Sequence, residues 1–389
     1  MKSRKLSRSR SRTAIVSAAA ASVVAGVALV PNWSAGAAVV NDPTVDASTK
    51  ATFQKLADAV FTDRTQALVH GATTKRSTSR FSGDVRLSST QTRDEKSALS
   101  ALRGRQSSIA KLGETYSAGS TKVTLDATRV TGRTAKADVT ETTTLTYAKA
   151  TAGAPKTTGF QAHHELTFKA DQQGTWQLSN IQDTDTGGLA VNTVAKPAVK
   201  ASPAPADDGN TTPDAPRAAT TRNPVAVPKT STTYDYKAMA AYAEKYWNVY
   251  NTDYPNFNGH ADGGDCTNFV SQSLKAGGWK HVPGYVYDYT KWFGNADIQS
   301  DSFVGVNEWS WFAQNSKRTT PLANVYQAEV GDVIQVDFDR DGAKDHTMIV
   351  TYKANGIPYV TYHSNNTYRR SLSSLIASYP NAYYYAYRT

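Results

Sequence analysis

Hydrophobic positions between residues 42 and 190 change from helical spacing to alternation along the chain. The segment 49–70 predicts an amphipathic helix, because its apolar residues share one face: Phe53, Leu56, Ala57, Val60 and Phe61. The segment 99–112 predicts either a second helix or a strand-to-helix transition. Alternating runs then predict antiparallel strands at residues 121–130, 135–147, 159–169 and 175–182. The pattern therefore predicts a small α+β domain over residues 42–190.

Two adjacent histidines, His163 and His164, lie in the third of these strands. Neighbouring strand residues point to opposite faces of a sheet, so the pair is a poor metal site. We predict that both are surface residues.

The apolar residues of 191–230 show neither helical spacing nor alternation. They hold seven of the 15 prolines in the chain, with alanine, threonine and aspartate between them. A segment of this composition has little apolar surface to bury, which predicts a disordered linker.

Residues 231–389 form a second region, with 19 of the 21 tyrosines in the chain. Helical spacing over 234–250 predicts a first helix, and a polar loop follows it. A second helix is predicted from Thr267 to the Gly277-Gly278 pair. Farther along, residues 333–337 and 346–351 predict two strands joined by the polar turn 338–345. The sequence predicts a second α+β domain here.

The first 37 residues have the features of a secretory signal. Six basic residues precede an apolar run over 14–30, and Ala35-Gly36-Ala37 is a small-residue cleavage pattern. We expect cleavage near Ala37 and an extracellular, secreted protein. The alternative is an uncleaved N-terminal anchor. No run after residue 40 is long and apolar enough to span a bilayer.

The formal net charge of +10 is unevenly distributed. Without the six basic residues of the leader it is +4, and residues 231–389 carry −2, so residues 38–230 carry about +6. This basic region suggests contact with an anionic surface such as a cell wall, although a solvated basic face is the alternative. No basic motif interleaved with aromatic residues indicates nucleic-acid binding.

The chain has one cysteine, Cys266, and therefore no internal disulfide. It lies at the predicted start of the second helix, directly after Gly263-Gly264-Asp265. Free backbone N–H groups and the helix dipole at this end favour a thiolate and can hold an oxyanion. We predict that Cys266 is a nucleophile; the alternative is a buried structural cysteine.

A cysteine nucleophile needs a base, and His346 at the start of a strand is the candidate. The Asn355-Gly356 pair predicts a two-residue hairpin in which Ala354 faces Ile357. This register puts His346, His363 and Asn365 on one face, so that either His363 or Asn365 can orient the base. A one-residue bulge would change the choice.

The turn after residue 336 matches the first half of a calcium-binding loop, with Asp337, Asp339, Asp341 and Gly342 at the expected spacing. The twelfth position is Met348, where a bidentate glutamate is required. We interpret the segment as an acidic turn and predict no metal.

Together, these motifs resemble the putative amidase domain family of secreted Gram-positive proteins. The resemblance covers residues 233–389 and rests on the tyrosine-rich helix and on the segments 263–279, 309–311, 331–334, 345–346 and 362–364. It implies a papain-like α+β fold near the NlpC/P60 and CHAP hydrolases, with Cys266, His346 and His363 as catalytic residues. In such enzymes a tyrosine often lines the oxyanion site, which makes Tyr254 a candidate. The N-terminal pattern resembles the cone-shaped fold of nuclear transport factor 2.

The expected activity is thiol-dependent hydrolysis of amide bonds, without cofactor or metal. Secretion makes peptides of the peptidoglycan cell wall the most accessible substrates. One alternative is a catalytically silent module that binds peptide or cell wall. The other is a transglutaminase-like acyltransferase that uses the same residues.

Overall fold

The computed structural model describes residues 44–72, 78, 85–150, 153–185, 190–194, 212–230, 233–258 and 264–389. The predicted leader and its cleavage site lie outside these residues. Within the described helices, none combines the length and apolar character needed to cross a bilayer.

The described residues of the N-terminal half form two helices and five strands. In chain order they are α1 (Ala47–Gln66), β1 (Val85–Leu87), α2 (Ser89–Lys111), β2 (Tyr116–Thr131), β3 (Thr134–Tyr147), β4 (Thr157–Ala170) and β5 (Trp176–Asp183). The four predicted strands are therefore present, and the segment 99–112 is part of a helix. Asp46 begins α1 by accepting a hydrogen bond from the backbone N–H of Thr49, and Ser88 begins α2 in the same way through Gln91.

The apolar face of α1 packs inside the curved sheet against a buried cluster that includes Phe168, Trp176 and Leu178. A polar network lies beside this cluster. It shows that the prediction of two surface histidines is wrong for His164. His163 is partly exposed, but His164 is 2% exposed. Its Nδ1 lies 2.8 Å from Asp183 Oδ1 and its Nε2 lies 3.2 Å from Glu141 Oε2. Hydrogen bonds on both sides compensate its burial.

The C-terminal half contains five α-helices, one 3-10 helix and six strands among its described residues. In chain order they are α3 (Tyr236–Tyr246), α4 (Cys266–Ala276), α5 (Asp301–Val304), α6 (Val306–Asn315), β6 (Thr320–Pro321), a 3-10 helix (Val325–Gln327), β7 (Val333–Asp337), β8 (His346–Ala354), β9 (Ile357–Tyr362), β10 (Asn366–Ser371), α7 (Leu372–Ser378) and β11 (Tyr383–Arg388). One face of β7, β8 and β11 packs on α3, α4 and α6, and the other face packs on α7.

One continuous mixed sheet joins the two halves. Its strand order is β1-β5-β4-β10-β9-β8-β7-β11-β6, with β2 and β3 paired beyond β4. Residues 164–170 of β4 pair with β5, whereas residues 159–161 pair with β10. A shared buried cluster covers the junction and contains Leu102 and Phe160 from one half and Tyr359 from the other.

The prediction of a disordered linker is wrong for residues 212–230. Backbone N–H groups in this segment donate to the C-terminal half, from Ala218 to Tyr384 O at 2.7 Å and from Ala219 to Ala323 O at 2.8 Å. The ammonium group of Lys229 lies 2.7 Å from the buried carboxylate of Asp332. These contacts compensate the loss of conformational entropy when the segment is ordered. The apolar residues of this proline-rich segment are too few to do so. Residues 195–211 lie outside the described part of the chain.

Candidate active site

Helix α4 begins at Cys266, as the sequence predicted. The preceding Gly264 has φ 95°, a left-handed conformation that favours glycine. Cys266 is 3% exposed, and the apolar side of its helix packs under β8 through Phe269, Val270 and Leu274. The sulfur is therefore held against the sheet.

The thiol lies between α4 and the start of β8. Its sulfur is 3.7 Å from Thr267 Oγ1, which is itself 2.9 Å from Thr347 Oγ1. Burial raises the pKa of Cys266, while hydrogen bonds from the backbone of Thr347 and from Thr267 oppose that shift. The negative charge of Asp265 adds to the increase. The resting group is thus a thiol, surrounded by donors that would favour the thiolate.

His363 lies on the α4 side of the sheet and is tightly held. Its ring stacks on Phe269 at 4.0 Å between centroids. Its Nδ1 lies 2.6 Å from Asp265 Oδ2, and its Nε2 lies 2.8 Å from the backbone oxygen of Tyr246. Both partners are acceptors, so both ring nitrogens must carry hydrogen for the two bonds to form. His363 therefore anchors the residue before Cys266.

Asp265 connects this pair to the loop before α4. Its Oδ1 accepts from the backbone N–H of Phe257 at 3.2 Å and from Asn268 Nδ2 at 2.8 Å. Its carboxylate makes no capping bond to the helix backbone. The N–H groups of the first turn consequently remain available to another acceptor.

His346 lies on the opposite face of β8. Its ring meets Tyr362 edge-on, 5.0 Å between centroids, and no described residue hydrogen-bonds to its Nε2. Burial, with a contribution from Arg370, lowers its pKa to about 3. The imidazole is therefore neutral near pH 7, and it forms no hydrogen bond to Cys266.

A β-bulge explains why His346 and His363 lie on different faces. The expected pairing of Ala354 with Ile357 is present, but Thr351 is left out of the ladder. Beyond it, Val350 pairs with Val360 and Ile349 with Thr361. The inserted residue shifts the register by one, and a shift of one moves a side chain to the other face. The prediction that His346, His363 and Asn365 share a face is therefore wrong.

Asn365 and Tyr254, the other two candidates, lie in different surroundings. Asn365 is 2% exposed, its Nδ2 donates to Asp185 Oδ2 at 3.0 Å, and its Oδ1 has no partner among the described residues. Tyr254 stacks on Phe303 and lies beside Lys275, which is in the last turn of α4. The next residue, Pro255, accepts a hydrogen bond from Asn268 Nδ2 at 2.9 Å, so the loop that carries Tyr254 also passes the first turn of α4.

Tyr250 packs on the site, and no pattern in the sequence distinguishes it from the neighbouring tyrosines. Its ring lies 4.5 Å from that of His363, and its hydroxyl donates to Asn366 Oδ1 at 2.9 Å. Burial raises its pKa, and the charges of Asp265 and Asp185 add to the increase. These contacts fix the loop that follows β9.

Three buried polar atoms near α4 and the strand ends lack a hydrogen-bond partner among the described residues: Asn268 Oδ1, His346 Nε2 and Asn365 Oδ1. Leaving such a group unpaired costs about 1–3 kcal/mol, so native proteins seldom retain one without a reason. Other buried atoms elsewhere in the described chain are also unpaired, so these three are candidates for contact with a substrate and do not by themselves locate the site.

The acidic turn between β7 and β8 is closed by its own side chains. Oxygens of Asp337, Asp339 and Asp345 lie within 4.8 Å of one another. Asp337 accepts from the backbone N–H of Arg340 and Gly342, and Asp345 accepts from that of Phe338. These bonds tie the carboxylates of Asp337 and Asp345 to the backbone of the turn.

The site thus defines an α+β domain with a helix-terminal thiol beside buried histidines. Residues 233–387 match the model of a family described as "Putative amidase domain". This part of the chain is therefore similar to a family whose description names an amidase.

Two curated relatives, both from Bacillus subtilis (strain 168), are similar to part of the chain. Uncharacterized protein YhbB is 37% identical over 142 residues, which is 35% of this chain and 44% of the relative. Uncharacterized protein YjcM is 33% identical over 140 residues, 34% of this chain and 31% of the relative. The chain therefore spans less than half the length of each. No solved structure matches it.

Proposed function

We propose that this protein is a cysteine-dependent hydrolase of amide bonds, with Cys266 as the nucleophile. The supporting observation is the place of the thiol within the matched segment. It occupies the first residue of α4, where the backbone of Thr347 and of Thr267 hydrogen-bonds to the sulfur. Free N–H groups of the first helical turn are suitable donors for an oxyanion.

In this mechanism His346 is the base. It is neutral near pH 7 and no described residue engages its Nε2, but its pKa must rise from about 3 as it leaves its buried position before it can accept the thiol proton. It later returns the proton to the leaving amine. Because His346 and α4 lie on opposite faces of β8, rotation of the imidazole alone cannot bring it to Cys266, and proton transfer requires the first residues of β8 to change their backbone conformation.

His363 and Asp265 have a positioning role in the proposal. Both nitrogens of His363 face acceptors, which makes it a poor base in this arrangement. The pair holds the loop before α4, and thereby the backbone N–H groups at the start of the helix. Asn365 remains available as a hydrogen-bonding group for substrate.

We further propose that the protein is secreted and acts on peptide or peptidoglycan-type amides of the cell wall. The support is the leader-like segment 1–37 and the basic balance of residues 38–230. We also propose a papain-like relationship for the C-terminal half, because a helix-borne cysteine packs on a sheet. A cone-like relationship to nuclear transport factor 2 is proposed for the N-terminal half.

Digestion of purified peptidoglycan, with mass analysis of the released fragments, tests the activity. We expect fragments from the wild type and none from Cys266→Ala. Ser273→Ala is the matched control, since Ser273 is a small buried residue on the same helix. Equal release by Cys266→Ala and wild type would refute cysteine dependence. Release by neither, but cleavage of free peptides by the wild type, would move the substrate away from the cell wall.

The assignment of the base is tested with His346→Gln and His363→Gln. General acid–base catalysis contributes about 10²–10⁴-fold, so His346→Gln should reduce kcat by that order while the protein remains folded. An active His346→Gln protein with an inactive, folded His363→Gln protein would transfer the role of base to His363. Circular dichroism of each variant checks the fold.

A further inference from the structure

The N-terminal half reaches the candidate site through one carboxylate. Asp185 follows β5, and its side chain is 4% exposed. His163 on β4 holds it from one side, since the backbone N–H donates to Oδ2 at 2.8 Å and the ring Nδ1 lies 2.8 Å from Oδ1. On the other side, Asp185 Oδ2 accepts from Asn365 Nδ2 at 3.0 Å. Asp185 thus links the two halves.

The Asn365 side chain is oriented by this contact. A carboxylate accepts hydrogen bonds and cannot donate them, so the NH₂ group of Asn365 must face Asp185. The side-chain oxygen Oδ1 then points away from Asp185. It is buried and has no partner within the described part of the chain. The N-terminal half therefore determines which end of this amide is free.

The free oxygen belongs to the turn that directly follows His363. Asn365 is two residues after His363, and the intervening Ser364 has φ 108°, a conformation that is rare for residues other than glycine. The next residue, Asn366, accepts from the hydroxyl of Tyr250, whose ring packs on His363. The whole turn is almost completely buried. A buried acceptor in a strained, clamped turn beside the site is suited to bind a donor on the substrate.

We propose that Asp185 is a positioning residue that orients Asn365, so that Asn365 Oδ1 accepts a hydrogen bond from an amide N–H of the substrate. This inference rests on the proposed amide hydrolysis. It assigns the N-terminal half a part in substrate binding rather than a separate function. It also restricts the substrate to amides that carry a hydrogen on nitrogen near the cleaved bond.

The sheet junction gives this arrangement its geometry. Three residue pairs join β10 to β4, namely Asn366 with Gln161, Thr367 with Phe160 and Tyr368 with Gly159. The hydroxyl of Thr158 adds a hydrogen bond to Tyr368 O at 2.9 Å. These contacts fix the distance between His163 and the turn at Asn365, independently of Asp185.

The test uses the full chain with Asp185→Ala, Asp185→Asn and Thr158→Val. Thr158→Val removes a hydrogen bond across the same junction without touching Asp185 or Asn365, so it is the matched control. With peptidoglycan as substrate, Asp185→Ala should raise KM about tenfold and leave kcat nearly unchanged, because the lost bond is made in both ground and transition states. Asp185→Asn should recover most of the loss, since its side-chain oxygen can still accept from Asn365.

A second measurement reports on Asn365 directly. In a ¹⁵N-labelled protein, the side-chain NH₂ signals of Asn365 are assigned by their absence in Asn365→Asp. Asp185→Ala should shift them and accelerate their exchange with solvent, whereas Thr158→Val should not. Unchanged signals in Asp185→Ala would overturn the orientation of Asn365 by Asp185.

The kinetic results separate this inference from the proposed function. Equal losses of activity in Asp185→Ala and Thr158→Val, in proportion to their thermal stability, would make Asp185 merely structural and overturn the proposal. A fall in kcat with unchanged KM would overturn the role of Asn365 in binding. If the wild type cleaves neither peptidoglycan nor free peptides, the proposed hydrolysis fails, and the NMR signals still decide the orientation of Asn365.

Discussion

The pH dependence of stability tests whether the His346 imidazole is buried and unpaired. Burial beside Tyr362, with a contribution from Arg370, lowers its pKa from 6.5 to about 3. The folded protein therefore binds a proton at this position less readily than the unfolded chain. The stability associated with neutral His346 is fully present above pH 6.5 and is lost as the pH falls through about 3.

The magnitude follows from the two pKa values. One unit of pKa difference corresponds to about 1.36 kcal/mol, so the loss in free energy of unfolding should be roughly 2 kcal/mol at pH 5 and roughly 3 kcal/mol at pH 4. Either is a large part of the stability of an ordinary domain. His346→Gln removes the titrating group while retaining a polar side chain.

Urea unfolding of wild type and His346→Gln near pH 8 and near pH 5 measures this effect. The stability of wild type relative to the variant should fall by about 2 kcal/mol between the two conditions. Met348→Leu is the control, because Met348 lies in the adjoining buried cluster on the same strand and does not titrate. Its difference from wild type should not depend on pH.

A constant difference between wild type and His346→Gln would refute the reasoning. It would mean that the imidazole has a partner or reaches solvent in the folded protein. The case for His346 as a neutral, uncommitted base would then fail as well, because that case depends on the same buried and unpaired Nε2. The measurement needs no substrate, so it tests the environment of His346 separately from the activity.

Three further groups give independent predictions, each tested by urea unfolding or by alkylation. Burial raises the pKa of Glu114 to about 7, so the contribution of its protonated form to stability is present below pH 4.5 and is lost as the pH rises through about 7. Over that range, the free energy of unfolding of Glu114→Gln should rise by about 3 kcal/mol relative to wild type. An unchanged difference would contradict the prediction. Burial acts to lower the pKa of His164, but hydrogen bonds to Asp183 and Glu141 outweigh it and raise the pKa to about 9. The contribution of charged His164 to stability is therefore present below pH 6.5 and is lost as the pH rises through about 9. His164→Gln should lower the free energy of unfolding by about 3 kcal/mol more near pH 6 than near pH 10. An equal loss at both pH values would exclude the pairing. Burial raises the pKa of Cys266, so iodoacetamide should alkylate the native protein more slowly than the urea-unfolded protein, with an inflection above that of an ordinary thiol; faster native alkylation would contradict the buried position.

Periodicity predicted most elements of the N-terminal half, and capping explains where it failed. Helix α2 begins at Ser89, ten residues before the segment that the apolar pattern indicated. Its first three turns are rich in polar residues, and few of their side chains are buried. The start is determined by the cap at Ser88, whose hydroxyl accepts from Gln91. A polar surface turn leaves no hydrophobic signal, so only the cap could have shown it.

Contacts between distant parts of the chain were not accessible to the same reasoning. The apolar pattern of β4 predicted a strand and gave no indication that its first residues would pair with β10. The linker segment 212–230 is held mainly by backbone bonds and by single charged groups such as Lys229. Neither kind of contact has a period along the chain. The sequence pattern therefore predicted two separate domains, although one sheet runs through both halves.

In the candidate site, one bulged residue, Thr351, makes the sequence-based prediction of strand register fail. The Asn355-Gly356 turn correctly predicted that Ala354 faces Ile357, and the helix-terminal position of Cys266 was also correct. Thr351 then drops out of the ladder, and every side chain beyond it changes face. A bulge at a threonine within an apolar strand has no sequence signature, because threonine fits the ladder equally well. The position of Cys266 at the start of α4 depended on a local feature and could be predicted. The mutual arrangement of His346 and His363 depended on register over many residues and could not.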